Sequence, residues 1–187
     1  MYDIAIIGAG PAGASAALFA AKAGKKVVVI DSDQSVTRRA WIENHYGVAE
    51  ITGPDLVETG KKQAAKFGAE FITDKATAIS GEAGGFTVKT EAGEYAASHV
   101  IVASGLMTDV AEASGLQTKD GTEPRIKTIF DVDAQGKTNK AGIWAAGTCA
   151  GVSMHTIVTA GHGAAVAINV ISELNGARYV DHDVLKA

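Results

Sequence analysis

Apolar residues are concentrated in short runs within the first thirty positions of the chain. The runs at residues 4–7 and 27–30 are rich in β-branched side chains, which is typical of buried strands. Between them, residues 14–23 are small, apolar helix formers, and Gly24 is suited to end a helix. Two apolar strands joined by a helix predict a βαβ unit with parallel strands and a right-handed crossover.

The rest of the chain extends this alternation of strands and helices. Residues 32–52 show no periodicity and predict a long loop with one helical turn, whereas residues 53–67 and 153–175 predict helices. Further apolar segments predict strands at residues 70–79, 85–90, 95–103, 126–129 and 143–146. The predicted fold class is therefore α/β, with a Rossmann-like parallel sheet, helices on its faces and a small β-meander, in a single domain over residues 1–187.

Composition and charge exclude several classes of protein. Of the 187 residues, 47% are hydrophobic and 20% charged, and the net charge of −4 argues against a nucleic-acid or anionic-membrane partner. A single cysteine, Cys149, excludes an intrachain disulfide and a zinc site with several thiolates, and we predict no metal site. No apolar run approaches the roughly 18 residues of a membrane helix, and no basic segment typical of a signal peptide begins the chain, so we expect a cytoplasmic protein.

A glycine motif, Gly8-x-Gly10-x-x-Gly13, lies between the first strand and the first helix. Gly8 permits a sharp turn, Gly10 lets the backbone approach a pyrophosphate, and Gly13 lets helix and strand pack closely. Pro11 fits the first helical turn, and the free N–H groups there, at Ala12 and beyond, favour a diphosphate. The motif therefore predicts a dinucleotide site.

The acid at the end of the second strand supports this interpretation. Asp31 lies where a carboxylate accepts a hydrogen bond from a ribose 2′-hydroxyl. A negative charge at that position repels a 2′-phosphate, which disfavours NADP. The motif and its acid leave FAD and NAD as alternatives.

Four segments of the chain resemble the FAD-binding domain of the thioredoxin reductase-like flavoproteins. They are Ile-Gly-Ala-Gly-Pro-Ala-Gly-Ala-Ser-Ala-Ala at residues 7–17, Ile-Glu-Asn-His-Tyr-Gly at 42–47 with Ile-Thr-Gly-Pro-Asp-Leu at 51–56, Val-Ile-Val-Ala-Ser-Gly at 100–105, and Gly-Ile-Trp-Ala-Ala-Gly-Thr at 142–148 with Thr-Ile-Val-Thr-Ala-Gly-His-Gly at 156–163. The resemblance spans nearly the whole chain. It implies that FAD is the cofactor and that the protein is an oxidoreductase.

The main departures from that family concern the domain that binds NADPH. Its members carry an NADPH-binding Rossmann domain, with a redox-active Cys-x-x-Cys, inserted after the segment matched at residues 100–105. Here Gly105 is followed directly by residues 106–109, which resemble the segment after that insertion, and no second Gly-x-Gly-x-x-Gly occurs among the 187 residues. The resemblance thus implies a stand-alone FAD domain that takes electrons from a separate donor, either a small molecule or another protein.

Further site residues follow from the resemblance. It implies that Thr148, which replaces an acid of the family, offers its hydroxyl to the ribityl chain, and that Cys149 lies near the cofactor as either a redox thiol or a packing residue. The lack of a second cysteine favours packing. The remaining candidates are Asn44 at the flavin edge, Ser104, Gly105 and Gly147 at strand ends, and the amides of Thr156 and Ile157 toward the reduced flavin.

Two histidines in the last segment bear on metal binding. His155 and His162 are seven residues apart, whereas a metal pair on one helix requires a spacing of four. We interpret both as packing or hydrogen-bonding residues.

Three functions remain open from the sequence. The first is a single-domain FAD oxidoreductase, the second a non-catalytic FAD-binding or electron-transfer module of a two-chain system, and the third a single-domain NAD-binding protein. The resemblance also implies a homodimer, because the FAD domains make the dimer contact in that family. The electron donor and acceptor are unknown.

Overall fold

A seven-stranded sheet runs through the centre of the computed structural model, which describes residues 1–181 and 183–185. The strands in chain order are β1 Tyr2–Ile7, β2 Val27–Asp31, β3 Trp41–Ile42, β4 Ile51–Thr52, β5 Glu70–Thr73, β6 Ala76–Glu82, β7 Gly85–Thr90, β8 Glu94–Val102, β9 Thr118–Asp120, β10 Thr128–Phe130 and β11 Ile143–Ala145. The helices are α1 Pro11–Lys22, α2 Gly53–Lys66, α3 Val110–Ser114 and α4 Thr156–Asn175.

Strand order in the sheet confirms the α/β class with a parallel core and a meander. The strands β5, β2, β1 and β8 are neighbours and run parallel. The other edge of β8 is shared between two strands. Its first half pairs antiparallel with β7, and its second half pairs parallel with β11. The meander is completed by β6, which pairs antiparallel with β7.

Both faces of the parallel strands are buried. Along β1, Ile4 and Ile6 pack toward α1 and α4, whereas Ala5 and Ile7 pack toward the meander and α3. All four side chains are at most 6% exposed. Burial on both faces explains why β1 and β2 appear in the sequence as continuous apolar runs rather than as alternating patterns.

The structure corrects the predicted strand at residues 70–79. Two strands occupy that stretch, and they lie at opposite edges of the sheet: β5 pairs with β2, whereas β6 pairs with β7. The pairing of β5 with β2 ends at Asp74, whose amide donates to the carbonyl of Asp31. In the sequence alone, where the pairing strands are not visible, the apolar pattern of residues 70–79 is the same as that of one long strand.

Two segments contain short elements, of which one helical turn at residues 32–52 and one strand at residues 126–129 were predicted and the others were missed. The loop at residues 32–52 contains a 3-10 turn at Val36–Arg39 and a ribbon formed by β3 and β4. The polar stretch at residues 106–141 contains α3 and a second ribbon, formed by β9 and β10. Elements of two to five residues are too short to show a periodicity.

The long last helix, α4, packs against α1. Its residues Val166, Ala167, Val170 and Ile171 are buried in the core. Within the described residues, α4 is the one helix that is long and apolar enough to cross a membrane by length and composition alone. Its contacts with α1 and the sheet are those of a core helix.

Candidate functional site

A cleft of about 280 Å³ opens at the carboxyl ends of β1, β2 and β8. This is the edge at which parallel sheets of α/β proteins bind their ligands. Most of the residues predicted for the cofactor line this cleft: Gly8, Gly10, Pro11, Ala12, Asp31, Ser104, Gly105, Gly147 and Thr148. The structure therefore brings together residues from four separate segments of the chain.

The glycine turn at the base of the cleft leaves no room for side chains. Gly8 has φ +97°, and a Cβ on it would lie 2.4 Å from the carbonyl oxygen of Ala103. A Cβ on Gly13, which lies below the cleft, would be 1.9 Å from the oxygen of Gly8. No side chain caps the N-terminus of α1 at Gly10. Free N–H groups and the positive end of the helix dipole therefore lie beside the turn, where an anion binds well.

Asp31 has two partners at the end of β2. Its Oδ1 accepts the backbone N–H of Ala9 at 3.2 Å, and its Oδ2 lies 2.6 Å from Nζ of Lys61 on α2. The side chain of Asp31 is 9% exposed and that of Lys61 is 20% exposed. The predicted ribose-binding carboxylate is thus oriented from the glycine turn on one side and neutralised by a lysine on the other.

The ion pair continues along the rim of the cleft through a second cation. Arg38 NH2 lies 2.6 Å from Asp33 Oδ1 and 2.7 Å from Glu58 Oε1. Its hydrogen bond to Glu58 raises the pKa of the Arg38 guanidinium. This rim therefore joins α2 to the loop that follows β2 by alternating charges.

A tight turn follows β8 at the opening of the cleft. The hydroxyl of Ser104 donates to the carbonyl of Met107 at 2.5 Å, and the amide of Met107 donates back to the carbonyl of Ser104 at 3.3 Å. This four-residue turn therefore lies at the place where the resembled family carries an inserted domain.

The second glycine turn of the cleft lies between β11 and α4. Gly147 has φ +82°, and a Cβ on it would lie 2.7 Å from the Cβ of Ala12. Its amide donates to Nδ1 of His162 at 3.0 Å. Thr148, which is 6% exposed, follows it on the cleft wall and begins a 3-10 turn. The position predicted to face the ribityl chain is thus part of the cleft.

Cys149 lies below the wall of the cleft. Its thiol is buried and donates to the carbonyls of Val102 at 3.4 Å and Ala146 at 3.3 Å. Burial raises the pKa of this thiol, which keeps it protonated and a poor nucleophile. This geometry favours the packing role over the redox role.

Besides Gly13, three predicted cofactor residues lie outside the cleft wall. Asn44 is on the exposed loop between β3 and β4, and Thr156 and Ile157 are at the N-terminus of α4. The two regions are in contact, because Nδ1 of His45 lies 3.0 Å from Oγ1 of Thr156. Their proposed contact with a cofactor stays a prediction.

Several cleft residues were not identified from the sequence. They come from the loop after β2, the turn between β5 and β6 with the start of β6, the turn after β8, α3, the segment before α4, and α4: Ser32, Gln34, Ser35, Thr37, Asp74, Lys75, Ala76, Met107, Val110, Met154 and Thr159. Lys61 was also missed. No local sequence signal distinguishes these residues, because they share only their position around the cleft, which forms when distant segments of the chain pack together.

The chain is similar in sequence to one family of known proteins. The family model for pyridine nucleotide-disulphide oxidoreductases matches residues 2–128 and 38–164. The thioredoxin reductase of Peptoclostridium acidaminophilum is 38% identical over 137 residues, which are 71% of this chain and 44% of the relative. That of Aquifex aeolicus is 40% identical over 112 residues, which are 57% of this chain and 35% of the relative. The aligned part is less than half of each relative's length.

Solved structures show the same fold. The atypical thioredoxin reductase TRi from Desulfovibrio vulgaris Hildenborough superposes with a TM-score of 0.83 at 22% identity, covering 94% of this chain and 99% of that one. A thioredoxin reductase from Gloeobacter violaceus superposes with a TM-score of 0.84 at 16% identity, covering 98% and 99%. At these identities the likeness is one of fold.

Proposed function

Because the chain belongs to the pyridine nucleotide-disulphide oxidoreductase family, we propose that it is an FAD-binding oxidoreductase domain related to thioredoxin reductases. One observation carries the proposal. The uncapped N-terminus of α1, the side-chain-free turn at Gly8 and the carboxylate of Asp31 all face one cleft. A dinucleotide needs these three features together: an anion site, close backbone approach and a ribose acceptor.

The residues of the cleft fit the parts of FAD. The turn at Gly8 and Gly10 would hold the diphosphate, and Asp31 would accept from the adenosine ribose. The hydroxyl of Thr148 would donate to the ribityl chain. FAD, when bound, would supply the redox chemistry, and the chain's own residues would bind it, orient it and exclude water from it.

The electron donor would come from outside this part of the chain. The turn from Ser104 to Met107 closes the point at which the family's NADPH domain is inserted, and the one thiol, Cys149, is buried. The described residues thus contain neither a second dinucleotide cleft nor an accessible dithiol. A small reductant or a separate redox protein would have to deliver electrons to the flavin.

The test is reconstitution of the purified protein with FAD. We expect stoichiometric binding, read as absorption near 450 nm that stays with the protein on gel filtration. Gly10→Val should be folded and colourless. Gly10 has φ −66°, which any residue adopts, and its added Cβ meets the movable hydroxyl of Ser35 at 3.0 Å while it blocks the diphosphate.

A matched control is Gly85→Val on β7. A Cβ there meets nothing within 4 Å, and valine suits a strand, so this variant should bind FAD like the parent. If the parent binds NADH and not FAD, the cofactor assignment is wrong. If FAD binds and no donor reduces it, the chain is a binding module rather than an enzyme.

A further inference from the structure

We propose that His162 is a positioning residue for the cofactor-binding turn at Gly147, and that it acts as a neutral imidazole with its proton on Nε2. The inference rests on the proposed function, because the turn is assigned to FAD. The hydrogen bond between His162 and Gly147 would then control how tightly the turn holds its ligand.

The hydrogen bond itself decides the state of the imidazole. The backbone amide of Gly147 lies 3.0 Å from Nδ1 of His162. A backbone N–H can only donate, so Nδ1 must accept, and the ring must carry its one proton on Nε2. His162 lies on the second turn of α4, and its ring reaches the turn at Gly147.

Both ends of one peptide plane are held by side chains. The carbonyl of Ala146 accepts from the thiol of Cys149 at 3.3 Å, and the amide of Gly147, in the same peptide unit, donates to His162. Gly147 needs this support, because its φ of +82° is one of many conformations open to glycine. The two side chains together set the direction in which Gly147 and Thr148 face the cleft.

Among the residues that the structure describes, no charged side chain compensates a protonated His162. Burial alone lowers its pKa from the usual value. The charged and titratable groups on the described elements packed against α4, and on α4 itself, have other partners or lie at its ends: Lys22 with Asp181, Asp131 with Lys119, Asp133 with the amides of Gln135 and Lys137, Lys137 with Glu173, Glu173 with His99, His155 with Ser153, and His45 with Thr156. Along β11 there is no ionisable side chain.

Protonation of His162 should therefore release the turn. A second N–H at Nδ1 would face the N–H of Gly147, and two donors cannot bond to each other. The ligand-bound form needs the neutral ring, so the pKa of His162 is lower in the ligand-bound protein than in the free protein. Affinity should be constant above the pKa of the free form and should fall by up to about tenfold per pH unit below it.

The experiment is a titration with FAD, followed by flavin fluorescence quenching, at pH values from 8 to 5 within the range in which circular dichroism shows the native fold. The parent should lose affinity at acid pH. His162→Gln keeps an acceptor that does not titrate, so it should bind nearly as well at pH 8 with a much flatter profile. His162→Leu lacks the acceptor and should bind more weakly at every pH.

A matched control is His99→Gln. His99 is a buried histidine within β8 that pairs with Glu173, and it does not line the cleft, so its removal should leave the pH dependence of FAD affinity in place. If His162→Gln retains the parent's pH profile, or His162→Leu binds as tightly as the parent at pH 8, the inference is overturned.

A second measurement separates this inference from the cofactor assignment. Long-range proton–nitrogen NMR spectra of the FAD-free protein should place the His162 proton on Nε2 at pH 7.5, and the Gly147 amide shift should follow the titration of the ring. A proton on Nδ1 overturns the inference whether or not FAD binds. If the spectrum is as expected but the protein does not bind FAD at pH 8, the hydrogen bond is supported and the proposed function is refuted.

Discussion

Lys61 Nζ lies 2.6 Å from Asp31 Oδ2, so the carboxylate that ends β2 belongs to an ion pair that spans from the sheet to α2. The other oxygen of Asp31 accepts from Ala9 in the glycine turn. One side chain thus connects the predicted ribose site, the predicted diphosphate site and a helix from another part of the chain. Its negative charge is also largely balanced, which weakens the repulsion of a 2′-phosphate expected from the sequence.

The first prediction concerns this ion pair. Lys61→Met leaves the largely buried carboxylate of Asp31 without its cation, and we expect a loss of about 1–3 kcal/mol in unfolding free energy and weaker FAD binding. Urea unfolding and FAD titration measure the two effects. Lys62→Met, an exposed neighbour on the same helix, is the control and should change neither. Equal losses from both variants would contradict a specific role for Lys61.

The second prediction compares two glycines of α4. A Cβ on Gly163 would lie 2.0 Å from the carbonyl oxygen of Ala12, so Gly163→Ala should push α4 away from α1 and cost at least about 1–3 kcal/mol. A Cβ on Gly161 meets nothing within 4 Å, and Gly161→Ala should stabilise the helix by about 0.5–1 kcal/mol. Urea midpoints shifted in opposite directions are the expected result. Similar midpoints would show that the two helices do not pack this closely.

The third prediction concerns the thiol of Cys149. Because burial raises its pKa and no cleft surface reaches it, a disulfide reagent should label the folded protein far more slowly than the protein in denaturant. The labelling rate should begin to rise only above the pH at which an ordinary thiol ionises. Cys149→Ala should still accept electrons on its flavin at the parent's rate, and loss of that reaction would restore the redox role.

The fourth prediction concerns the electron donor. With the turn from Ser104 to Met107 in place of an inserted domain, NADPH should reduce the bound flavin slowly and without saturation at micromolar concentration. Anaerobic stopped-flow absorbance measures the rate. Saturable reduction at a rate of the order of 10 s⁻¹, which is typical of an enzyme with a dedicated site, would reveal a nicotinamide site within this chain.

The fifth prediction concerns assembly, and it extends the proposal of a homodimer. Large apolar side chains are exposed on β3, on the β3–β4 loop and just before α4, including Trp41 at 61%, Tyr46 at 93% and Met154 at 51%. The hydrogen bond of His45 to Thr156 joins the loop to α4. Exposed apolar patches of this kind are often covered by a second subunit.

Light scattering at micromolar concentration should therefore report twice the chain mass of 19.1 kDa. Tyr46→Ser should shift the equilibrium toward the monomer. Val184→Ser, a change to another exposed apolar residue away from this loop, is the control and should leave the mass unchanged. A parent protein of single-chain mass would favour a separate partner chain.

The sequence by itself determined the features that depend on neighbours along the chain. The βαβ unit, its glycine turn and the end of α4 at Gly176 were all predicted, because strand, turn and helix signals there lie within a few residues of one another. The ordered motifs also identified the family. The positions of Gly8, Gly10 and Asp31 in one cleft follow directly from that unit.

The tertiary structure alone decided the contacts between distant segments. Residues 70–79 became two strands because β2 and β7, which lie next to opposite edges of the sheet, each provided a partner. The pairs Asp31–Lys61 and Gly147–His162 join positions 30 and 15 residues apart, and no local pattern encodes either. Hydrophobic periodicity specifies which face of an element is buried. The choice of partner for each polar side chain depends on where the packed elements bring them, and that is settled only when the chain is folded.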